Sequence, residues 1–436
     1  MNNFAQFTDA QRMKHVFAQY LWASERERWQ ITECHIRHVW RKTYRKHPDH
    51  SFITVLYELQ LADRHTGESR RQMLYAKAYQ QNRSQRIFQQ HVNDRLSAPP
   101  VGSAFSHLPA LDMVVWAFPN DPAMPQLAAL TKPEQAKAYL PLNNVVALNI
   151  EIINYRPELR CTARYELTCE TNGQHQQHIL FGKTFATPQA EEVFTRMQAM
   201  WNWAATQPTA FRIAQPLSFH SATNMIWQEG LHGTPLVQML EGANCQPIAY
   251  SIAKGLINLH ASKIPVSNTL TPDTHLAEAS KKAAKLGQAF PHLQATLKML
   301  CTQLVYDRPR NAPLGLIHGD FHVKQLLWCD GNIALFDFDE FALGDPMQDV
   351  ANFIADLYAH SLDTTLIEAL TAVLCEAYRQ QSPQAYSPQR LHWHMRVQLL
   401  TRAYRCLWQQ RPELERAIHF YLQLAQGGVT PLAQAA

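Results

Sequence analysis

Four side chains in one short stretch of this sequence could do chemistry together: Asp320, Gln325, Asp337 and Asp339. They lie in His-Gly-Asp-Phe-His-Val-Lys-Gln-Leu-Leu (318–327) and Phe-Asp-Phe-Asp (336–339), on either side of a Cys-Asp-Gly-Asn turn. Two apolar runs of β character, Leu314–Ile317 and Ile333–Phe336, lead into them, so each loop starts where a strand ends. Phosphoryl transfer from a nucleotide needs such a set. One carboxylate accepts the proton of the attacking hydroxyl, while a second carboxylate and an amide oxygen hold a divalent metal on the phosphates. Hard oxygen donors without a Cys or His cluster favour magnesium over zinc. The competing reading is two β-turns whose Asp side chains only cap nearby backbone amides.

The run His318 to Gln325, followed by Phe336-Asp337-Phe338-Asp339 and by Gly344-Asp345-Pro346 with Asp349, resembles the aminoglycoside phosphotransferase/choline kinase family. That resemblance implies a protein-kinase-like fold and transfer of phosphate from ATP, with Mg2+, to a hydroxyl of a small metabolite, a sugar or sugar-containing compound among the candidates. Carried across, Asp320 would be the catalytic base, Gln325 and Asp337 the metal ligands, and Gly344–Asp349 a structural turn into the next helix. Position 325 departs from the commonest pattern, which has Asn. Gln keeps the carbonyl oxygen and adds a methylene, and maltokinase-like relatives resemble this chain in using it. The alternative function is a nucleotide-binding pseudokinase whose extra N-terminal lobe binds a partner.

The elements that must position these loops fall into three parts. A helix signal opens at residue 9. Strand patterns follow at Ile36–Tyr44, Phe52–Leu61 and Gln72–Tyr79, a polar helix at Ser84–Asn93, and a strand at Asp112–Phe118. The same order then returns: Val145–Tyr155, Thr162–Cys169, His178–Phe185, a helix at Pro188–Trp203 and a strand at Asn224–Trp227. Landmarks repeat with the pattern. Tyr44-Arg45 matches Tyr155-Arg156, Tyr57-Glu58-Leu59 matches Tyr165-Glu166-Leu167, and Leu74-Tyr75-Ala76-Lys77 matches Leu180-Phe181-Gly182-Lys183. This reads as an internal duplication of a small β lobe. From Gly233 the pattern is helical. The expected fold is therefore α+β, a two-lobed kinase-like body with a β-rich N-lobe (146–232) and a helical C-lobe (233–436). An additional, degenerate N-lobe-like β domain (1–145) precedes it.

A kinase-like N-lobe supplies a strand lysine to the nucleotide phosphates and a helix acid that braces it. In the second copy Lys183 has Glu191 and Glu192 within about two helical turns. In the first, Lys77 has Gln85-Arg86 at the matching place, so Lys77 reads as the relic. The loop 154–161, which in the family covers the phosphates, has no glycine here, and Arg156 and Arg160 are candidates to supply charge instead. The backbone of Met225, Trp227 and Glu229, in the strand between the lobes, is expected to meet the nucleotide base. The basic, aromatic segment from Arg390 to Arg405 is open between packing and lining an acceptor pocket, with Trp393 as a stacking platform.

Composition narrows the class. Apolar content of 46% with 17% charged residues suits a folded globular protein. The +4 formal charge is scattered, which argues against nucleic acid as a partner. No apolar run spans a bilayer, no signal-peptide order opens the chain, and the 8 cysteines are spaced without pairs, so reduced thiols in a cytoplasmic protein are expected. The first lobe is expected to cover open sheet edges, either of the second lobe or, in a homodimer, of a twin subunit.

Overall fold

The computed structural model describes residues 4–21, 25, 27–42, 44, 50–206, 211–240, 246–360, 362–409 and 413–427. Arg45, Cys245, Pro412 and the tail after Gly427 lie outside them. The described residues fall into two compact units. One draws on Met1–Glu191, Leu217–Trp227 and Trp408–Gln410, the other on Glu192–Pro216, Gln228–Leu407 and Arg411–Ala436. The first β pass and the sheet strands of the second belong to the first unit, while the helix and the short strand between them, from Glu192 to Pro216, belong to the second.

In the first unit Asp9 caps α1 (Ala10–Tyr20) by accepting a hydrogen bond from the Arg12 amide at 3.0 Å. β1 (Trp29–Lys42), β2 (Phe52–Asp63) and β3 (Ser69–Ala78) form an antiparallel meander, then α2 (Arg83–His91) leads to β4 (Phe105–Leu108) and β5 (Met113–Ala117). Two short helical turns, α3 (Leu127–Leu130) and α4 (Pro133–Ala136), connect to the second pass. It runs β6 (Val145–Arg156), β7 (Arg160–Thr171), β8 (Gln174–Phe185), α5 (Ala190–Thr206), a short β9 (Phe211–Ile213), β10 (Pro216–His220) and β11 (Met225–Glu229). The spatial orders are β1-β2-β3-β5-β4 and β6-β7-β8-β11-β10, the same topology twice.

The duplication extends to register. Tyr57 opposite Leu74 and Lys77 opposite Thr54 return as Tyr165 opposite Leu180 and Lys183 opposite Thr162. In each copy a left-handed residue, Asp112 (φ 48°) or Asn224 (φ 45°), precedes the strand beside the meander. Its side-chain oxygen accepts a hydrogen bond from the opening turn of the copy's helix, at Ser84 or Ala190.

Strand side chains alternate between faces, and β2 and β5 of the first sheet are buried on both. Ile53, Val55, Tyr57, Leu59 and Leu61 of β2 pack with Met13 and Phe17 of α1. On the other face Leu56, Tyr75, Val114 and Trp116 pack with Tyr155 and Cys161 from the β6–β7 hairpin. Each fully buried aromatic of this kind contributes about 1.5–3 kcal/mol of transfer free energy. The first lobe thus packs onto the second copy within one chain.

The second unit continues with β12 (Thr234–Pro235), α6 (Leu236–Leu240), α7 (Gln246–Ala261), α8 (Pro272–Ala289) and α9 (Gln294–Tyr306). Pro291 separates α8 from α9, since proline cannot donate to a continuing helix. β13 (Gly315–Ile317), β14 (Leu326–Cys329), β15 (Asn332–Leu335) and β16 (Ala342–Gly344) then precede α10 (Met347–Leu357), α11 (Thr364–Gln381), α12 (Pro388–Gln409) and α13 (Leu414–Gly427). β14 and β15 form a hairpin closed by Asp330 (φ 47°) and Gly331 (φ 86°), the left-handed pair a tight hairpin turn requires. β13 pairs with β16, and every residue of α10 is buried. No helix among the described residues is long and apolar enough to cross a membrane. The seven described cysteines are free thiols.

Candidate active site

β13 delivers the chain into a turn at Gly319 (φ +82°), where a Cβ would stand 2.3 Å from the Glu340 carbonyl oxygen, so only glycine fits. The loop that follows is held by α10. Asp349 accepts the His318 amide at 2.6 Å and the Gly319 amide at 3.0 Å, and Asp356 accepts the Val323 amide at 3.1 Å. These two acids are two helical turns apart on one face, so a single rigid helix grips the loop on both sides of Asp320. Each is itself supported. The His260 ring faces Asp349 at 3.1 Å and the Tyr378 hydroxyl at 2.7 Å. Arg402 reaches Asp356 at 2.9 Å and His360 reaches it at 3.2 Å. Burial works to raise the Asp356 pKa, but His360, Arg402 and His322 outweigh it and hold the carboxyl well below its usual range. Asp345 is fixed in the same way by Arg390 and His394, each at 3.2 Å.

The second loop is tied to the first by the buried His318 ring, whose Nε2 donates to the Phe336 carbonyl at 2.8 Å. Beyond it Asp337 takes a left-handed conformation (φ 63°). Its carboxylate accepts a hydrogen bond from Gln325 Nε2 at 3.0 Å. His322 links this pair to Asp320: its Nε2 is 3.4 Å from the Gln325 amide nitrogen and 3.6 Å from the Asp320 carboxylate. Arg405 of α12 approaches Asp320 from another direction, also at 3.6 Å. Burial pushes the Asp320 pKa up, but His322, Arg405 and His318 outweigh it, so the carboxyl is held below its usual range and stays ionised at neutral pH. Arg196 of α5 donates to the Asp339 carbonyl at 2.9 Å, fixing the far side of the second loop. Gln325 and Asp337 are side by side and both offer oxygen, a donor set that fits a hard divalent cation such as Mg2+.

The remaining expected residues have these places. Lys183 is on β8 with its amine 5.2 Å from the Phe185 ring centre. Glu191 and Glu192 lie exposed in the first turn of α5, and Glu192 is held by Arg196. Met225 and Trp227 are buried in the core of the second β copy, on β11 between β8 and β10, while Glu229 at the end of that strand is exposed. In the glycine-free hairpin the Glu158 amide donates to Asp121 at 2.8 Å, and the Glu158 carboxylate receives Lys77 at 2.8 Å. Lys77 therefore has a structural partner in the second copy. Trp393 is fully buried and donates to the Leu304 carbonyl at 2.8 Å, which makes it a core residue and no stacking platform. Sequence reasoning passed over His322 as a link, Arg405 as the neighbour of Asp320, and Asp356 as a clamp. His322 and Arg405 stood in segments already singled out; nothing in the sequence marked Asp356.

Residues 180–386 match the sequence profile of the phosphotransferase enzyme family. The match takes in Lys183, Asp320, Gln325 and Asp337 together with the α10 clamps, and phosphotransferases of this family act on hydroxyl groups. Among solved structures, the choline kinase of Cryptosporidium parvum Iowa II is similar at 12% identity, covering 70% of this chain and 96% of its own, with a TM-score of 0.48. Spectinomycin phosphotransferase APH(9)-Ia is similar at 13% identity, covering 70% of this chain and 99% of its own, with a TM-score of 0.47. No protein of curated function matches the sequence. The phosphotransferase segment starts within β8 of the second β copy, so the first copy lies outside the family match.

Proposed function

We propose that this chain is an ATP- and Mg2+-dependent small-molecule kinase. The observation that carries the reading is the continuous set Asp320–His322–Gln325–Asp337, spaced at 3.6, 3.4 and 3.0 Å on loops that α10 and His318 hold in place. Asp320 orients the acceptor hydroxyl and takes its proton as the oxygen attacks the γ-phosphorus and the bond to the β-phosphate oxygen breaks. Gln325 and Asp337 would hold the magnesium ion, which supplies charge neutralisation on the phosphates. In the proposal Lys183 orients the phosphates and Glu191 or Glu192 braces it. The backbone of Met225, Trp227 and Glu229 meets the base. The division of labour follows 1–145 as packing lobe, 146–232 as nucleotide lobe and 233–436 as catalytic lobe. The acceptor is a hydroxylated metabolite, sugars included.

The test is a metabolite extract incubated with protein, ATP and Mg2+, read by mass spectrometry for a species heavier by one phosphate. Asp320→Ala should abolish that product and leave ATP affinity within about threefold of the wild type, because the base acts on the acceptor. Wild-type turnover in the variant would remove Asp320 from the chemistry. ATP binding with no phosphorylated product from any extract would favour the pseudokinase.

A further inference from the structure

Two lysines of α8 reach α12, the helix whose Arg405 approaches Asp320. Lys282 and Lys285, one turn apart on α8, reach α12 at positions spaced alike: Lys282 Nζ donates to Thr401 Oγ1 at 3.0 Å and Lys285 Nζ to the Tyr404 hydroxyl at 3.2 Å. The Lys285 ammonium also lies 5.4 Å from the Tyr404 ring centre. Arg405, next to Tyr404 and one turn on from Thr401, extends from the same helix to Asp320 at 3.6 Å. The two lysines bind neutral hydroxyls, and among the described residues neither forms an ion pair with a carboxylate. The nearest acid on α8, Glu278, is taken by Lys281 at 2.6 Å. Burial, followed by the repulsion of Arg405, lowers the Lys282 pKa; the attraction of Glu278 only partly offsets them. A half-buried ammonium held beside a guanidinium is a destabilising arrangement in the empty protein, and an anion placed between them relieves it.

We infer that the acceptor carries an anionic oxyacid group, phosphate or carboxylate, which Lys282, Lys285 and Arg405 receive while its hydroxyl lies at Asp320. The inference rests on the kinase reading above only for placing the acceptor beside Asp320. Arg405 spans both tasks, near enough to Asp320 to hold it ionised and placed to fork onto an oxyanion. A cationic acceptor would meet like charge along the whole approach, so the face selects against polyamine and quaternary ammonium alcohols.

Two measurements test this. The first is binding of inorganic phosphate and, separately, of acetate to the full chain by calorimetry, with no nucleotide present. Saturable binding of at least one anion is expected, weakened roughly tenfold or more by Lys285→Gln, the loss of one charge-assisted contact, and more by Lys282→Ala with Lys285→Gln. Lys183→Met should bind the same anion unchanged. Lys285 is exposed, so its variant should keep the wild-type melting temperature even if the double variant does not fold. The second is turnover of matched alcohols: glucose, gluconate, glucose 6-phosphate, choline and kanamycin. The anionic members should have the lowest KM, and Lys285→Gln should raise that KM with little change in kcat. Preference for phosphate or for gluconate tells which oxyacid is read. No anion binding, binding indifferent to Lys285→Gln, or faster turnover of choline or kanamycin would overturn the inference. Anion binding lost in Lys285→Gln, with no alcohol phosphorylated, would keep the anion site and remove the kinase reading.

Discussion

Replacing Lys77 by methionine separates the two β copies by experiment. The Lys77 ammonium contacts both oxygens of Glu158, at 2.9 and 2.8 Å, with side-chain exposures of 12% and 30%. Breaking a fully buried pair from one side costs about 3–5 kcal/mol, and an exposed pair is worth about 0–1 kcal/mol. This pair lies between the two, so we expect a loss of about 2 kcal/mol. Methionine retains part of the contact that Lys77 makes over the Phe52 ring at 4.4 Å, which keeps the loss from growing. In a unit of roughly 200 residues each kcal/mol moves the melting temperature by about 2–4 °C. Calorimetry should therefore show a fall of about 4–8 °C for the transition containing the first unit. A double-mutant cycle of Lys77→Met with Glu158→Gln should return a coupling of about 1–2 kcal/mol. The matching variant, Lys183→Met, should cut kcat roughly a hundredfold or more, the scale of losing a preorganised charge on a reacting group. An unmoved transition in Lys77→Met with zero coupling would refute the structural role. A lost kcat in Lys77→Met with none in Lys183→Met would show that the nucleotide lysine is in the other copy.

Gln325→Leu should raise the Mg2+ concentration needed for half-maximal activity by roughly tenfold or more, while Gln325→Asn, which keeps the amide oxygen, should raise it less; an identical titration for the Leu variant would take this side chain out of the metal site. Burial, then the neighbouring His394, holds the His275 pKa down to about 4, below its model-peptide 6.5. The unfolded chain then takes up the proton first, so stability should fall as pH drops from about 6.5 towards about 4. His275→Gln should flatten that part of the pH dependence of urea unfolding, and an unchanged slope would show that other groups carry it.

The catalytic motif was legible because its chemistry is local. Asp320, Gln325 and Asp337 lie within one hairpin of each other, and the strand ends that present them follow from short apolar runs. The duplication was legible too, since alternation, turn residues and landmark order are all properties of neighbouring residues; even the paired left-handed positions Asp112 and Asn224 stand in the sequence at matching places. Two-residue β12 and three-residue β9 and β16 could not be read, because such short segments become strands only by pairing with partners far along the chain. Lys77 shows the same division at a single residue. The sequence by itself determined that a lysine repeats at the third strand of each copy and that only the second has acids after it. That the first lysine faces Glu158, 81 residues away, was decided by the docking of the β6–β7 hairpin against the first sheet. The same holds for Asp356 on the catalytic loop and Arg405 beside Asp320. Residue type sets what a group can bond, but only packing of distant segments brings the partner within reach of a charge.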